Sequence, residues 1–398
     1  MRPAIRTWST WLPAIALLAL CVGSLEVWAR TGDYLDDAGP PLDALASGNL
    51  HRFLVLQPLM GLVSVLVRLP FVAGARLAGA GELARYRAGA FPCLVAVAVL
   101  GLVLVRLRGL RPNRAVLVLV LAVVTPASLA AVRFGHPEEV LGGVLCVAAV
   151  LLADRHPLWA GVALGLAVAT KQWAIVAVAP VVLAAPAGRR LRLLAVALGV
   201  GELLTLPLFL GNSSAFTHIT NEAASATQVT TSTASVWWLA CLHPDRFVEG
   251  PATITLYPIP AAIAELSHPL IVALPVVLGF VAWRRGGDPL ALLALALLLR
   301  CALDPVDNEY YHAPFLIALL AFETLRRTRL PEVPVLTLVA AGGLWLTFAL
   351  EAHHASARLA NTVYLAWVAA VALSLLPAAG LFPRLSRRRW LRSPAPAL

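Results

Sequence analysis

Three aspartates stand within five residues at Asp33, Asp36 and Asp37, in the run TGDYLDDAGPP just after the first apolar stretch. Carboxylates of this kind accept protons or hold hard divalent cations. Three other polar clusters interrupt the apolar sequence. RFGHPEE carries Arg133, His136, Glu138 and Glu139; KQW begins at Lys171; and RCALDPVDNEYYH runs from Arg300 to His312. Lys171 is the one lysine among 31 basic residues, which singles it out as a position where lysine itself is needed. Its everyday role would be a snorkelling helix end. Beside Arg133, His136 and Arg300, however, it makes a set of cations suited to a lipid phosphate. Glu138 near a helix start also fits simple compensation of the helix dipole.

The elements that must position these groups are membrane helices. The chain of 398 residues is 60% hydrophobic and only 13% charged, and its apolar runs of about 15 to 20 residues can satisfy their backbone only as transmembrane helices. Spans are expected at 11–28, 89–105, 115–132, 139–153, 158–170, 172–187, 193–210, 269–283, 289–301, 313–325, 333–350 and 362–377, about twelve in all. The stretch 53–83 is apolar but interrupted by Pro58, Arg68, Pro70 and Arg76, and fits helices lying along the interface rather than a crossing. With that parity the arginine clusters at 106–114, 189–192, 284–285, 326–329 and 384–392 all face the cytoplasm, as do both termini. The polar clusters then share the extracytoplasmic side. The first outer loop is 29–88, a longer outer segment is 211–268, and 384–398 is a basic cytoplasmic tail of a single membrane domain 1–398.

The net charge of +10 is accounted for by these cytoplasmic loops, so it does not indicate nucleic acid. The five cysteines are scattered without metal-ligand spacing, and no phosphate-cradling glycine motif is present. No metal and no other cofactor is therefore expected; outer acids are able to bind a divalent ion, but no spacing supports one. Glu202 lies inside a span and should face protein or water. Trp237 and Trp238 fit interfacial anchoring or stacking on a ring, and Asp304 precedes Pro305 as an ordinary turn starter.

The run 158–174, LWAGVALGLAVATKQWA, followed by Pro180, resembles the LAG..LGLA..TK segment of GT-C membrane glycosyltransferases, most nearly glycosyltransferase family 87. The acids after the first span, GHPEE and the late DNEYYHAP turn are similar in order and placement. The resemblance implies an all-α polytopic GT-C fold with juxtamembrane helices in the first outer loop. It also implies a polyprenyl-phosphate sugar donor, with mannose the leading sugar, a lipid or glycan acceptor, and a catalytic carboxylate in that loop. Inverting transfer needs a base for the acceptor hydroxyl and cations for the departing phosphate. Asp37 or Asp36 is the expected base, with Asp33 third. Lys171, Arg133, His136 and Arg300 are expected at the phosphate. Glu138, Asp307, Asn308, Glu309, Tyr310 and His312 are expected to bind sugar or acceptor. The competing reading is a transporter or lipid-linked sugar flippase, which should place its charges at mid-membrane rather than at one boundary.

Overall fold

The computed structural model describes residues 4–382 apart from 59, 225–228, 242–246, 250–253, 327–332 and 354–355. The basic tail 384–398, Arg327, Arg329 and parts of the outer segment 211–268 lie outside the described residues. In chain order the helices are α1 (Ala4–Trp28), α2 (Gly39–Ala46), α3 (Leu50–Leu56), α4 (Leu62–Leu77), α5 (Glu82–Arg108), α6 (Pro112–Val123), α7 (Pro126–Phe134), α8 (Pro137–Ala153) and α9 (Pro157–Val168). They continue with α10 (Val178–Ala184), α11 (Arg190–Gly211), α12 (Ser213–Ala224), α13 (Ala261–Arg285), α14 (Pro289–Leu303), α15 (Ala313–Leu325), α16 (Val335–Ala352) and α17 (Ala357–Leu375). The segment 211–268, expected as loop, contains α12 and three short antiparallel strands in the order β1 (Thr230–Thr231), β3 (Ile254–Pro258), β2 (Phe247–Glu249).

Proline sets many of the starts. Pro112, Pro126, Pro137, Pro157, Pro289 and Pro314 each sit in a first turn, where the missing N–H costs nothing and the fixed φ suits the helix. Asp288 caps α14 by accepting from the backbone N–H groups of Leu290 and Ala291. Pro126 divides the span expected at 115–132 into two helices without ending it: α6 stops at Val123, and Thr125 caps α7 by accepting from Ser128 N–H, yet Pro112–Phe134 remains one apolar segment. The span expected at 172–187 likewise becomes a 3-10 turn, Gln172–Ala177, followed by the short α10.

Among the described residues six helical segments are long and apolar enough to cross a membrane: Glu82–Arg108, Pro112–Phe134, Ala187–Gly211, Ala261–Arg285, Val335–Ala352 and Ala357–Leu375. Shorter apolar helical segments are Pro13–Trp28, Pro157–Val168, Gln172–Ala184 and Pro289–Leu303. The 12 residues of α9 reach only about 18 Å, against an apolar core about 30 Å thick. Short helices occupy the centre: α14 and α15 are buried on nearly every face, whereas the long α11 leaves most of its surface outward. Glu202 is exposed on that outward surface of α11 rather than turned toward protein.

Three glycines position the site. Gly135 ends α7 at φ 99°, and a Cβ there would stand 2.6 Å from the backbone nitrogen of Tyr34. Gly32, at φ 39°, faces it: a Cβ would stand 2.9 Å from the carbonyl oxygen of Phe134. With neither side chain present, the 3-10 turn Gly32–Leu35 docks backbone to backbone on the α7–α8 junction. Gly61 makes a similar approach, donating its N–H to Thr170 O at 3.0 Å while Val63 donates to Ala169 O at 3.1 Å, which ties the start of α4 to the end of α9.

The helices α2, α3 and α4 fill the expected first loop, and α4 is not a free surface helix. It packs on α5 and buries Arg68 completely. A buried arginine needs a counterion, and Arg68 has one in Glu138.

Candidate functional site

The first turn of α8 is the hub. His136 directly precedes that helix, with Glu138 and Glu139 in its first turn, and successive helical positions about 100° apart aim these side chains at different neighbours. His136 joins the two carboxylates of the site: its Nε2 lies 3.0 Å from Asp33 Oδ2 and its Nδ1 2.9 Å from Glu138 Oε1. Glu138 is wholly buried and also meets Lys171 Nζ at 3.3 Å and Arg68 Nη1 at 3.4 Å. Glu139 lies 3.6 Å from both Lys171 Nζ and Arg300 Nη1. Arg300 donates to the carbonyl of Tyr311 at 2.9 Å and is clasped between the rings of Trp173 and Tyr311. Tyr310 stacks on the His136 imidazole, centroids 4.4 Å apart.

This network explains the lone lysine. The α8–α9 hairpin returns the chain to the level where it started, so Lys171, just beyond α9, meets the carboxylates at the beginning of α8. Lys171 keeps 16% of its side chain exposed, whereas Arg300 keeps 6%. Of the four cations expected at a phosphate, Arg300 is thus an interior counterion, and His136 has both nitrogens engaged. Lys171 and the exposed Arg133 are open to a ligand. Asp33 is the open carboxylate, 53% exposed at its side chain. Asp37 is half-buried and feels the charges of His136 and Lys171, while Asp36 is exposed and engaged only through its backbone N–H.

Electrostatics follow from this geometry. Burial by itself would lower the His136 pKa, but its hydrogen bonds to Asp33 and Glu138 raise it to about 9. Burial would likewise lower the Lys171 pKa, and the carboxylates of Glu138 and Glu139 hold it above the ordinary lysine value instead. Burial raises Asp37, against the pull of His136 and Lys171. With His136 protonated, Arg68, His136, Lys171 and Arg300 face the carboxylates of Asp33, Glu138 and Glu139, and Asp37 also acts on His136 and Lys171.

A pH dependence follows. Because His136 is raised in the folded protein, its contribution is fully present below an ordinary histidine pKa near 6.5 and is lost as pH rises through about 9. Thermal unfolding in nanodiscs should therefore shift to lower temperature across that window, and His136→Gln should remove this part of the slope.

The late polar turn separates into two groups. Tyr310 joins His136, and Glu309, lifted by burial to about 7 against the opposing charge of Arg133, lies beside that open cation. Asn308 Nδ2 reaches Tyr310 Oη at 3.5 Å. Asp307 and His312 instead form a closed pocket with Tyr364, both fully buried and away from any open surface. Trp237 is tied down, its indole N–H donating to Leu303 O at 2.6 Å.

Sequence reasoning assigned no role to Arg68, Glu139, Trp173, Tyr311 or Tyr364. Arg68 carried a signal: an arginine in an apolar helix needs an acidic partner.

A search of curated proteins returned no match. The family model for glycosyltransferase family 87 matches residues 83–305, more than half of the chain. That interval contains Arg133, His136, Glu138, Glu139, Lys171 and Arg300, so the charged hub falls within the matched part while the turn bearing Asp33 precedes it. A multi-pass helical chain with its charges gathered at the ends of short central helices and matched over this interval belongs to glycosyltransferase family 87.

Proposed function

We propose that the protein transfers a sugar, mannose by family resemblance, from a polyprenyl-phosphate donor to a lipid or glycan acceptor at the extracytoplasmic face, with inversion. The observation that carries this reading is the ladder from Asp33 through His136 and Glu138 to Lys171: an open carboxylate held by a cationic network. A donor phosphate is the anion that the part-exposed cations beside this ladder receive. Lys171 and Arg133 receive it, and as the bond from the anomeric carbon to the phosphate oxygen breaks they offset the charge left on the phosphate. Asp33 takes the proton of the acceptor hydroxyl, whose oxygen forms the new bond from the opposite face. His136 does not touch the reacting atoms; it holds Asp33 in place.

A lipid-linked donor reaches the site through the bilayer, so no nucleotide fold is required. The test uses purified protein in nanodiscs with labelled mannosyl polyprenyl phosphate and a lipid extract of the source cells. Label should move from this donor and not from a soluble nucleotide sugar. Lys171→Met should raise the donor KM about tenfold to a hundredfold, as loss of a charged hydrogen bond does, with Lys171→Arg recovering part of it. Transfer from the nucleotide sugar alone would overturn the assignment of the donor.

A further inference from the structure

We propose that Cys301, Asp307 and His312 form a structural site for a divalent transition metal, zinc by the chemistry of its donors. Cys301 lies in the last turn of α14, Asp307 in the loop that follows, and His312 closes the 3-10 turn Glu309–His312 that leads into α15. All three are buried, and one ligand atom from each lies within 4.8 Å of the other two.

The unpartnered polar atoms point to an ion. His312 Nε2 stands 3.2 Å from Asp307 Oδ2, yet the pair is not aligned as a hydrogen bond. Asp307 Oδ1 and both ring nitrogens of His312 also have no aligned partner. Buried polar groups left this way are costly. Nitrogen and oxygen ligands on a tetrahedral zinc, bonded at about 2.0 to 2.1 Å, stand about 3.3 Å apart, which is the separation found here.

The surroundings suit the ion. The Cys301 thiol donates to the carbonyl of Tyr311 at 3.2 Å; on binding, its proton leaves to solvent and the thiolate sulfur takes the metal. One thiolate and one carboxylate then balance the two charges of the ion, so a buried site gains no net charge. Nε2, the ring nitrogen beside Asp307 Oδ2, is the one placed to take the metal. Tyr364 donates its hydroxyl to Asp307 Oδ2 at 3.1 Å, the kind of support that orients a ligating carboxylate. The rings of Phe348, Tyr364 and Trp367 pack around the imidazole and exclude water.

The ion would clamp the end of α14 to the start of α15, fixing the turn that carries Tyr310 against His136. It takes no part in transfer, so this site and the proposed reaction stand or fall separately.

The experiment is elemental analysis of the full-length protein, purified without a histidine tag into nanodiscs from zinc-supplemented cells. The expected result is close to one zinc per chain, falling to background in Cys301→Ser and in His312→Ala. Cobalt loading of the wild type should give a thiolate-to-cobalt charge-transfer band that is lost in Cys301→Ser. This optical signature tests the site even where the His312 variant does not fold. Wild type holding under about a tenth of a metal ion per chain would overturn the proposal, as would full zinc retention by both variants.

Discussion

Asp33→Asn is expected to lower sugar transfer about 10²- to 10⁴-fold, the range that general-base catalysis contributes, while donor binding and thermal stability stay close to wild type. The amide keeps the shape and still accepts a hydrogen bond from His136, but it cannot take a proton. Asp33 is placed for this role by two features together: Oδ2 is anchored on His136 at 3.0 Å, and half of the side chain stays open. Asp36 lacks the anchor and Asp37 lacks the opening. Single-turnover transfer with saturating donor separates the three. Loss in Asp37→Asn with activity retained in Asp33→Asn would move the base to Asp37 and leave Asp33 as a support for His136.

The second large effect concerns stability. Glu138→Gln should destabilise the fold by about 3 to 5 kcal/mol, the usual cost of removing one member of a buried ion pair. Glu138 is the shared counterion of Arg68, Lys171 and His136, and Arg68, with no exposed surface, has no water to turn to. Because Glu138 also accepts from His136, its loss lowers the His136 pKa from about 9, and the alkaline fall in stability moves to lower pH. Adding Arg68→Met to Glu138→Gln should recover part of the loss, since it removes the orphaned charge; thermal unfolding of both variants across pH measures the two effects together. A double variant less stable by the sum of its single effects would show that the two residues act independently.

Much of this site was legible before the structure. A single lysine, two adjacent glutamates after a histidine, and a dense late turn are rare among so many alanines, leucines and valines, and the structure brings Lys171, Glu138 and Arg300 into one network. The choice among Asp33, Asp36 and Asp37 was not legible, because their local chemistry is the same. What distinguishes Asp33 is a docking between residues about a hundred positions apart, made by Gly32 and Gly135 through the absence of side chains. Arg68 was hidden differently: averaged over its apolar window it looked like an interfacial charge, and only the packing of α4 on α5 puts it beside Glu138. The Thr125–Pro126 break was written in the sequence, but composition alone does not register a proline that divides an otherwise continuous apolar run.

The two facing glycines divide the labour of the molecule. The turn bearing Asp33 meets the α7–α8 junction at these two glycines, where neither could carry a side chain. Enlarging either glycine would push that turn, and Asp33 with it, away from His136. The charged hub is constrained in another way: Glu138 meets Arg68, His136 and Lys171 at once, so a change at one is felt at the others. The glycines thus set where the carboxylate stands and the shared counterions set the field it feels, two tasks kept on different parts of the chain.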